Sequence, residues 1–372
     1  MEFSTIVSLF ENLEKTTKRG EKTLAISKIL SDLQTDEIEP FFLLLQGRVF
    51  AEHDQQNLGI STQYIIKALE RVSGYSKDEI VKKWSKVGDI GTVTVDILSL
   101  KKQSTLFEKT ISLTKMMSQL RKLPTITGNG AIEQKTQIIC DLLTSVDAKE
   151  AKYLVRIILE VMRVGIGEGI MRDAIVWAYF PRLDALSTIQ DNKIIYSTAF
   201  DAGIEETADI LKYRNILDSL QTKTITQFEE ATLLSDLHCD VILTQSNYEL
   251  CRKIYQYWTD SIQHAIDITN DIATIAKVTS LKDFAAIKQL KPVYGKPLKA
   301  MLAKKAVDIA DGMQTVGMPC AIEYKYDGFR MQIHKNENKV TLFTRKLEEV
   351  TIQFPDVIAS VLAQVKMERC IL

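Results

Sequence analysis

Paired cysteines are absent from this sequence. The five cysteines lie far apart, and none stands in a C-x-x-C pair. An odd number of separated thiols fits neither a disulfide framework nor a zinc site. We therefore expect reduced thiols in a cytoplasmic protein. The five are Cys140, Cys239, Cys251, Cys320 and Cys370.

An excess of charge and long apolar runs are also missing. Lysine and arginine number 47 against 48 aspartate and glutamate, a formal net charge of −1. A nucleic-acid site would therefore depend on local clusters of basic residues. The most apolar segment, 153–164, is interrupted by Arg156, Glu160 and Arg163, which excludes a membrane span there. The N-terminal residues lack a basic region before an apolar run, so no signal peptide is expected.

What is present, up to about residue 290, is helical periodicity. One apolar stripe is predicted to face a core, and a second follows with Arg156 on its opposite, solvated face. Such spacing predicts a layered all-α domain. The first stripe is Ile6, Leu9, Phe10 and Leu13, and the second is Leu154, Ile157, Ile158 and Val161.

Two glycine loops interrupt the helical pattern, each directly before a new helix. They are Thr127-Gly128-Asn129-Gly130 and the stretch with Gly165, Gly167 and Gly169. Glycines let a ligand approach the backbone, and the free N–H groups of a helix start favour anions, so the loops could hold phosphates. The alternative is that they are glycine turns between helices.

The composition changes twice after residue 181. Residues from about 182 to 262 are polar and are expected to be helical, and we assign them no chemistry. The segment 291–297 has the proline and glycine content of a linker, and alternation of polar and apolar residues follows it. We therefore place a domain boundary at residue 290.

The alternating region predicts an antiparallel sheet. We expect a strand from Cys320 to Tyr326, a hairpin turn at Asp327-Gly328 and a return strand beginning at Phe329. A third strand is predicted at Val340–Arg345, a helix at 355–365 and a last strand at 369–372.

Lys325 is the candidate nucleophile of this sheet. Glu323 and Lys325 would share one strand face, with Arg330 and Arg345 on neighbouring strands. Burial or nearby cations lower the pKa of a lysine and expose its lone pair, and arginines can clamp phosphate oxygens. The alternative is a surface hairpin with a Lys–Glu cross-strand pair, which is a common arrangement.

The motif around Lys325 resembles the nucleotidyl-lysine motif of ATP-dependent DNA ligases, and the segment 343–351 resembles the next motif of that family. The resemblance continues in the helical part, to the DNA-binding domain of archaeal-type ligases, and spans nearly the whole chain. The motifs are Glu323-Tyr324-Lys325-Tyr326-Asp327-Gly328-Phe329-Arg330, Phe343-Thr344-Arg345-Lys346, Gly295-Lys296-Pro297-Leu298-Lys299-Ala300-Met301-Leu302-Ala303, Leu45-Gln46-Gly47-Arg48, Gly88-Asp89-Ile90-Gly91, Thr127-Gly128-Asn129-Gly130, Arg163-Val164-Gly165-Ile166-Gly167-Glu168-Gly169 and Ile268-Thr269-Asn270-Asp271.

The resemblance implies an all-α DNA-binding domain at 1–290, followed by the start of an α+β nucleotidyltransferase (adenylation) domain at 291–372. It implies that Lys325 accepts AMP, Glu323 recognises adenine, Arg330 contacts the nucleotide and the nick phosphate, and Arg345 binds the nucleotide. It also favours DNA-backbone contact for both glycine loops. ATP and a divalent metal such as Mg²⁺ would be required, nicked duplex DNA would be the substrate, and a sliding clamp is a further expected partner of a monomer.

Two features depart from the family pattern. Residues 182–262 look longer than usual there, so we expect an insertion. The family's next motif, a strand ending in Asp-Gly-Glu, would begin where Cys370-Ile371-Leu372 stands. We therefore expect this chain to be the N-terminal part of a longer gene product, without the metal-associated glutamate or the OB-fold and inactive in sealing.

Other functions stay open at this point. An RNA ligase or capping guanylyltransferase would use the same lysine chemistry, although the long helical domain argues against it. A NAD-dependent ligase would be expected to show paired cysteines for zinc. A DNA-binding module without catalysis would need only the helical part.

Overall fold

The computed structural model describes residues 1–51, 54, 56–99, 110–162, 164–190, 193–198, 208–209, 221–229, 237–244, 247–299, 305–325 and 327–372. Its contacts divide the chain into two compact units. Unit 1 is Met1–Ile266 with Asp271–Leu290, and unit 2 is Asp267–Asn270 with Lys291–Leu372. Among the described helices, none is long and apolar enough to cross a membrane.

Unit 1 begins with helices packed around one apolar core. They are α1 (Phe3–Lys15), α2 (Arg19–Asp32), α3 (Ile38–Leu45), α4 (Thr62–Ser73), α5 (Lys77–Val87), α6 (Ile90–Ser99), α7 (Leu113–Lys122), α8 (Ala131–Thr144), α9 (Ala148–Ile158) and α10 (Glu168–Tyr179). Helix α3 is apolar on nearly all sides and almost wholly buried, so it occupies the centre of this unit.

Local capping explains where several of these helices begin and end. Ser76 and Glu79 form a capping box at the start of α5, and Asp147 and Glu150 do so at the start of α9. Gly88 ends α5 with a left-handed backbone, at φ 76°.

The predicted apolar stripes are confirmed with two exceptions. Every member of the first stripe is buried, as are the first three of the second, whereas Val161 lies beyond the end of α9 and is 44% exposed. Arg156, predicted to face solvent, is buried between Glu14 and Asp89. Helical spacing places a residue on a face but does not show that another helix covers that face.

The prediction that 182–262 is helical is wrong for the strands between Arg182 and Leu243, and with it the all-α character of residues 1–290, whereas residues 248–262 are helical as predicted. The described part contains a five-stranded sheet in the order β3-β2-β1-β5-β4, in which β1 pairs antiparallel with β2 and parallel with β5. These strands are short and rich in β-branched residues, which favour pleated structure over a helix. They are β1 (Arg182–Gln190), β2 (Lys193–Thr198), β3 (Ala208–Asp209), β4 (Thr222–Thr224) and β5 (Val241–Leu243).

Three further helices are described after this sheet, and all but residues 267–269 of the first belong to unit 1: α11 (Tyr248–Thr269), α12 (Ile272–Ser280) and α13 (Phe284–Gln289). Phe180, at the end of α10, joins them to the core. Its ring centroid lies 4.9 Å from that of Trp258 in α11 and 4.4 Å from that of Phe284 in α13. The last helices of unit 1 thus share the core of the first ten.

Unit 2 contains a three-stranded antiparallel sheet in the order β7-β6-β8. Its elements are α14 (Ile309–Val316), β6 (Met331–Asn336), β7 (Lys339–Thr344), α15 (Pro355–Gln364) and β8 (Arg369–Ile371). The return strand, the third strand, the helix after it and the last strand are confirmed within a few residues. A small apolar cluster around Leu342 forms the core.

The predicted strand Cys320–Tyr326 is wrong over its described residues, which form no regular structure. A hairpin through Asp327-Gly328 would pair this segment along β6. β8 and Leu372 already bond to that edge from Ile333 to Asn336. β7 occupies the other edge, so β6 offers the segment no complete partner. Tyr326 lies outside the described residues.

Candidate functional site

The arginines predicted to bind nucleotide lie at one end of the β6–β7 pair. Met331 pairs with Thr344, so Arg330 precedes and Arg345 follows two residues that face each other across the sheet. The Thr344 hydroxyl accepts backbone N–H groups from Lys346 and Glu348, at 3.1 and 3.3 Å, and so holds the turn that carries Arg345. The strand register therefore brings the two arginines to the same edge.

Both arginines line one cavity of about 320 Å³. Among the described residues, neither arginine forms a salt bridge, so both guanidinium groups can meet a ligand in this cavity. Such an arrangement favours an anionic ligand, and the volume lies at the low end for small-molecule sites. The lining residues are Leu298, Arg330, Met331, Gln332, Thr344, Arg345, Leu347, Ile371 and Leu372.

Lys325 and Glu323 do not join the arginines at this cavity. Both side chains are exposed, and they lie in the irregular segment before β6 rather than on a strand face. The geometry thus brings together two of the four predicted nucleotide-binding residues.

Sequence reasoning assigns no role to Gln332 and His334, and the structure gives them one. They share a face of β6, and the backbone N–H groups of Gly295 and Leu298 donate to His334 Nδ1 at 3.1 Å and to Gln332 Oε1 at 2.7 Å. Because Nδ1 accepts, the imidazole is neutral with its proton on Nε2, which lies 2.8 Å from Gln332 Oε1. The pair thus holds 295–298 against the wall of the cavity.

The imidazole of His334 is only 2% exposed, and burial lowers its pKa. Its ring centroid lies 5.0 Å from that of Phe343, in an edge-to-face arrangement. Burial and the Gly295 N–H therefore both favour the neutral ring.

The first glycine loop is fully exposed, and α8 begins directly after it. Gly128 and Gly130 have φ of 89° and 83°, a left-handed backbone that side chains with a Cβ rarely adopt. An added Cβ would meet nothing within 4 Å at either position. Backbone conformation, rather than space, therefore requires glycine here. The predicted contacts of Thr127 and Asn129 with DNA stay predictions.

The second glycine loop is fixed by hydrogen bonds from Lys22 of α2. Lys22 Nζ donates to the carbonyls of Val164 and Gly165, at 2.9 and 3.1 Å. In a trans peptide the N–H points opposite to the C=O, so the N–H groups of these two peptides point away from Lys22. Gly167 precedes α10, and Gly169 lies within its first turn. Sequence reasoning missed Lys22, since nothing in the pattern of α2 signals this contact. Arg163, which belongs to the predicted motif, lies outside the described residues.

The motif Gly88-Asp89-Ile90-Gly91 has a packing role. Asp89 accepts from the backbone of Gly91 at 3.2 Å and forms an ion pair with Arg156 at 2.6 Å. Burial opposes the charge of Asp89, but Arg156 and Thr92 outweigh it and lower the pKa to about 2. The motif thus joins α6 to α9.

No group of three histidine, cysteine, aspartate or glutamate side chains converges within the described residues. The residues present therefore assign no ligand to the expected divalent metal. The segment Ala300–Ala303 of the predicted motif lies outside the described residues.

Two family models match the chain. The DNA ligase N terminus model matches residues 2–176, and the ATP dependent DNA ligase domain model matches residues 300–372. The first covers α1 to most of α10, and the second covers Lys325, Arg330 and Arg345.

Curated relatives named DNA ligase align with nearly all of the chain. The protein of Nanoarchaeum equitans is 30% identical over 100% of this chain and 52% of its own length. That of Methanobrevibacter smithii is 28% identical over 96% and 51%, and that of Thermococcus fumicolans is 25% identical over 100% and 53%. The chain spans about half the length of these relatives.

Proposed function

Because this chain belongs to the ATP-dependent DNA ligase family, we propose that the whole protein seals nicks in duplex DNA through a lysyl-AMP intermediate. Replication, repair and recombination would supply such nicks. The observation that carries the proposal is the match of two ligase family models, and two arginines in the segment that the second one matches line one cavity, which supports it.

In the proposed first step, Lys325 attacks ATP. Its deprotonated Nζ forms a bond to the α-phosphorus, and the bond from that phosphorus to the bridging oxygen of the β-phosphate breaks. Pyrophosphate leaves, and the lysine carries AMP through a phosphoramidate bond. A solvent base takes the proton, because Lys325 is exposed. A divalent metal would neutralise the triphosphate when bound, and no residue of this chain is assigned to hold it.

Two transfers then complete the reaction. An oxygen of the DNA 5′-phosphate attacks the AMP phosphorus, and the lysine leaves as an amine. The 3′-hydroxyl of the nick next attacks the 5′-phosphate, forming the phosphodiester and releasing AMP. Solvent supplies the proton that the lysine nitrogen gains as the P–N bond breaks and takes the proton that the 3′-hydroxyl loses, and the P–O bond to AMP breaks as the phosphodiester forms.

Arg330 and Arg345 are proposed to bind the phosphate and ribose oxygens of the nucleotide. Their position at one cavity supports this role, because planar guanidinium groups pair well with phosphate. Glu323 is proposed to accept hydrogen bonds from the adenine. Gln332 and His334 would act as positioning residues, since they fasten 295–298 beside the cavity.

The proposed DNA-binding domain is residues 1–290, with residues 182–262 as an insertion and the adenylation domain beginning at 291. The two glycine loops would each contact the DNA backbone through main-chain N–H groups. Such contacts position a protein on DNA without reading its sequence. We also propose that the protein is a cytoplasmic monomer and that it binds a sliding clamp.

A second candidate function is a DNA-binding module that forms no lysyl-AMP. The observation in its favour is the exposure of Lys325 and Glu323 away from the arginine cavity. Salt-dependent binding to duplex DNA that Lys325→Ala leaves unchanged, with no AMP transfer, would select this function.

The intact mass after incubation with ATP and Mg²⁺ tests the main proposal. We expect the wild-type protein to gain the mass of one AMP, which acid should remove because a P–N bond is acid-labile. Lys325→Ala should gain nothing. Lys346→Ala, which removes another exposed lysine near the same cavity, is the matched control and should still gain AMP. Equal labelling of the wild type and Lys325→Ala would refute Lys325 as the acceptor.

A further inference from the structure

A cluster of three charged side chains lies beside the first glycine loop. Lys67 and Arg71, four residues apart on α4, point towards Glu133 on α8. Arg71 donates to both carboxylate oxygens, through Nη1 to Oε1 and through Nη2 to Oε2 at 2.7 Å. Lys67 Nζ lies 3.2 Å from Oε2. One carboxylate therefore holds two cations.

The cluster adjoins the loop because Glu133 follows Gly130 by three residues, within the first turn of α8. At 1.5 Å per residue this is about 4.5 Å along the helix axis. A chain of phosphates that contacts Thr127–Gly130 would therefore pass the two cations.

The three side chains are reachable from solvent. The exposed fraction is 40% for Lys67, 35% for Arg71 and 56% for Glu133. The charges of these three side chains do not cancel, since two cations face one carboxylate, although Glu70 is a further carboxylate that acts on Arg71. Hydrogen bonds from Arg71 and Lys67 lower the pKa of Glu133 to about 2, so the carboxylate is ionised at neutral pH.

Glu133 presents to Arg71 the same pair of oxygens that a phosphate would. The guanidinium fork binds a carboxylate or a phosphate through two parallel N–H···O bonds. If a DNA phosphate replaces the Glu133 carboxylate, Arg71 keeps two N–H···O bonds. The negative charge that faces the two cations also increases, because a DNA strand brings successive phosphates.

The ion pairs of Arg156 differ in this respect. The Arg156 side chain is 9% exposed and is enclosed by Glu14 and Asp89, so no external phosphate can replace its partners. Exposed ion pairs also contribute little to folding, so the Glu133 cluster can open at small cost.

We propose that Lys67 and Arg71 form a phosphate-binding site for the DNA backbone together with the Thr127–Gly130 loop, and that Glu133 occupies both cations until a DNA phosphate displaces it. This site extends the proposed function and rests on it. Glu133 thereby weakens binding to any isolated phosphate, and a strand that also contacts the loop overcomes that competition.

Fluorescence anisotropy of a labelled nicked duplex, measured over a range of salt concentrations, tests the site. Glu133→Gln removes the competing carboxylate and should tighten binding about three- to fivefold, the factor that an exposed charge pair supplies. Arg71→Gln and Lys67→Gln should each weaken binding and lower the slope of log Kd against log salt by about 1. An intact duplex should respond in the same way, because the site contacts backbone.

Glu249→Gln is the matched control. It removes the same charge from an exposed pair with Lys253 on α11, so it reproduces the change in net charge without touching the loop. We expect it to leave the Kd unchanged. Thermal unfolding of each variant should show the wild-type midpoint, which excludes misfolding as the cause of any change.

The outcomes separate the two proposals. Suppose that the wild type binds DNA in a salt-dependent way. The site alone would then be overturned if Glu133→Gln had the same Kd as Glu249→Gln. It would also be overturned if Arg71→Gln kept the wild-type slope of log Kd against log salt. A wild-type protein that binds neither duplex would overturn the DNA-binding role together with the site.

Discussion

At the scale of single residues, the hydrogen bond that the neutral imidazole of His334 accepts depends on its protonation state. It accepts the Gly295 N–H through Nδ1, and it lies in an apolar setting against Phe343. Protonation would place a second N–H at Nδ1, so two donors would face each other and the hydrogen bond would break.

This geometry predicts a loss of stability in acid. Above about pH 6.5 the ring is neutral in the folded and the unfolded protein, so it contributes no pH dependence. Burial lowers the folded pKa, so below pH 6.5 the unfolded chain binds the proton first and the free energy of unfolding falls. Thermal unfolding of unit 2 at about pH 7.5 and at about pH 5.5, on either side of the ordinary histidine pKa of about 6.5, measures the effect.

His334→Gln is the control for that prediction, since an amide oxygen can accept the Gly295 N–H but does not titrate. The variant should lose less stability than the wild type as the pH falls. An equal loss in both proteins would show that other groups account for the acid sensitivity.

Arg156 shows what sequence can and cannot say about one residue. Its spacing correctly placed it opposite the apolar stripe of α9, yet the prediction that it meets solvent is wrong. Glu14 lies 142 residues earlier and Asp89 lies 67 residues earlier, and no local pattern links such distant charges. Burial of a charge depends on partners that only the fold supplies.

At the scale of elements, the contact of α6 with α9 depends on a glycine. An added Cβ at Gly91 would lie 2.9 Å from the backbone oxygen of Lys152 and 3.0 Å from Arg156 Cγ. Neither neighbour can yield freely, since one is backbone and the other is held by two ion pairs. The close approach of the two helices thus requires the small residue.

We therefore expect Gly91→Ala to lower the free energy of unfolding of unit 1 by about 1–3 kcal/mol, the usual cost of overpacking. Urea unfolding followed by circular dichroism measures it. Gly169→Ala is the control, because Gly169 is likewise the second residue of its helix and its added Cβ would meet only the end of the Arg19 side chain, at 3.2 Å. Equal effects of the two substitutions would contradict the packing role of Gly91.

The elements that were predicted best are those with strong local signals. Helix α8 begins directly after its glycine loop and α15 begins at Pro355, as expected, whereas α10 begins two residues early, at Glu168, and includes Gly169. The strand Cys320–Tyr326 failed, although its alternation is sound, because a strand also needs a free edge to pair with. Strand pairing is a property of the sheet rather than of the segment.

At the scale of the whole molecule, the two units have cores of very different size. The core of unit 1 includes large buried side chains such as Trp258, Tyr153 and Phe10. The buried members of the unit 2 core are Val340, Leu342, Val350 and Val361, of which Leu342 alone is fully buried. Since stability grows with the apolar area buried, unit 2 should be the less stable of the two.

Calorimetry should therefore show two transitions, the lower one from unit 2. Leu154→Ala in α9 should lower only the upper transition and Leu342→Ala only the lower, each by about 2–5 kcal/mol in free energy. Both leucines are fully buried, so the substitutions are matched. A single transition that both substitutions shift would contradict the prediction that the two units unfold independently.

The sequence by itself determined the helices of unit 1, the order of strands after Met331 and the family motifs around Lys325, because spacing, caps and turns act over a few residues. Only the tertiary structure decided that Arg330 and Arg345 share a cavity, that Lys22 supports a glycine loop and that Glu133 holds two cations. The contacts of Lys22 and Glu133 join residues 142 and 66 positions apart, which packing alone brings together, and the cavity at the predicted strand pair also needs Leu298 and Ile371 beside the two arginines.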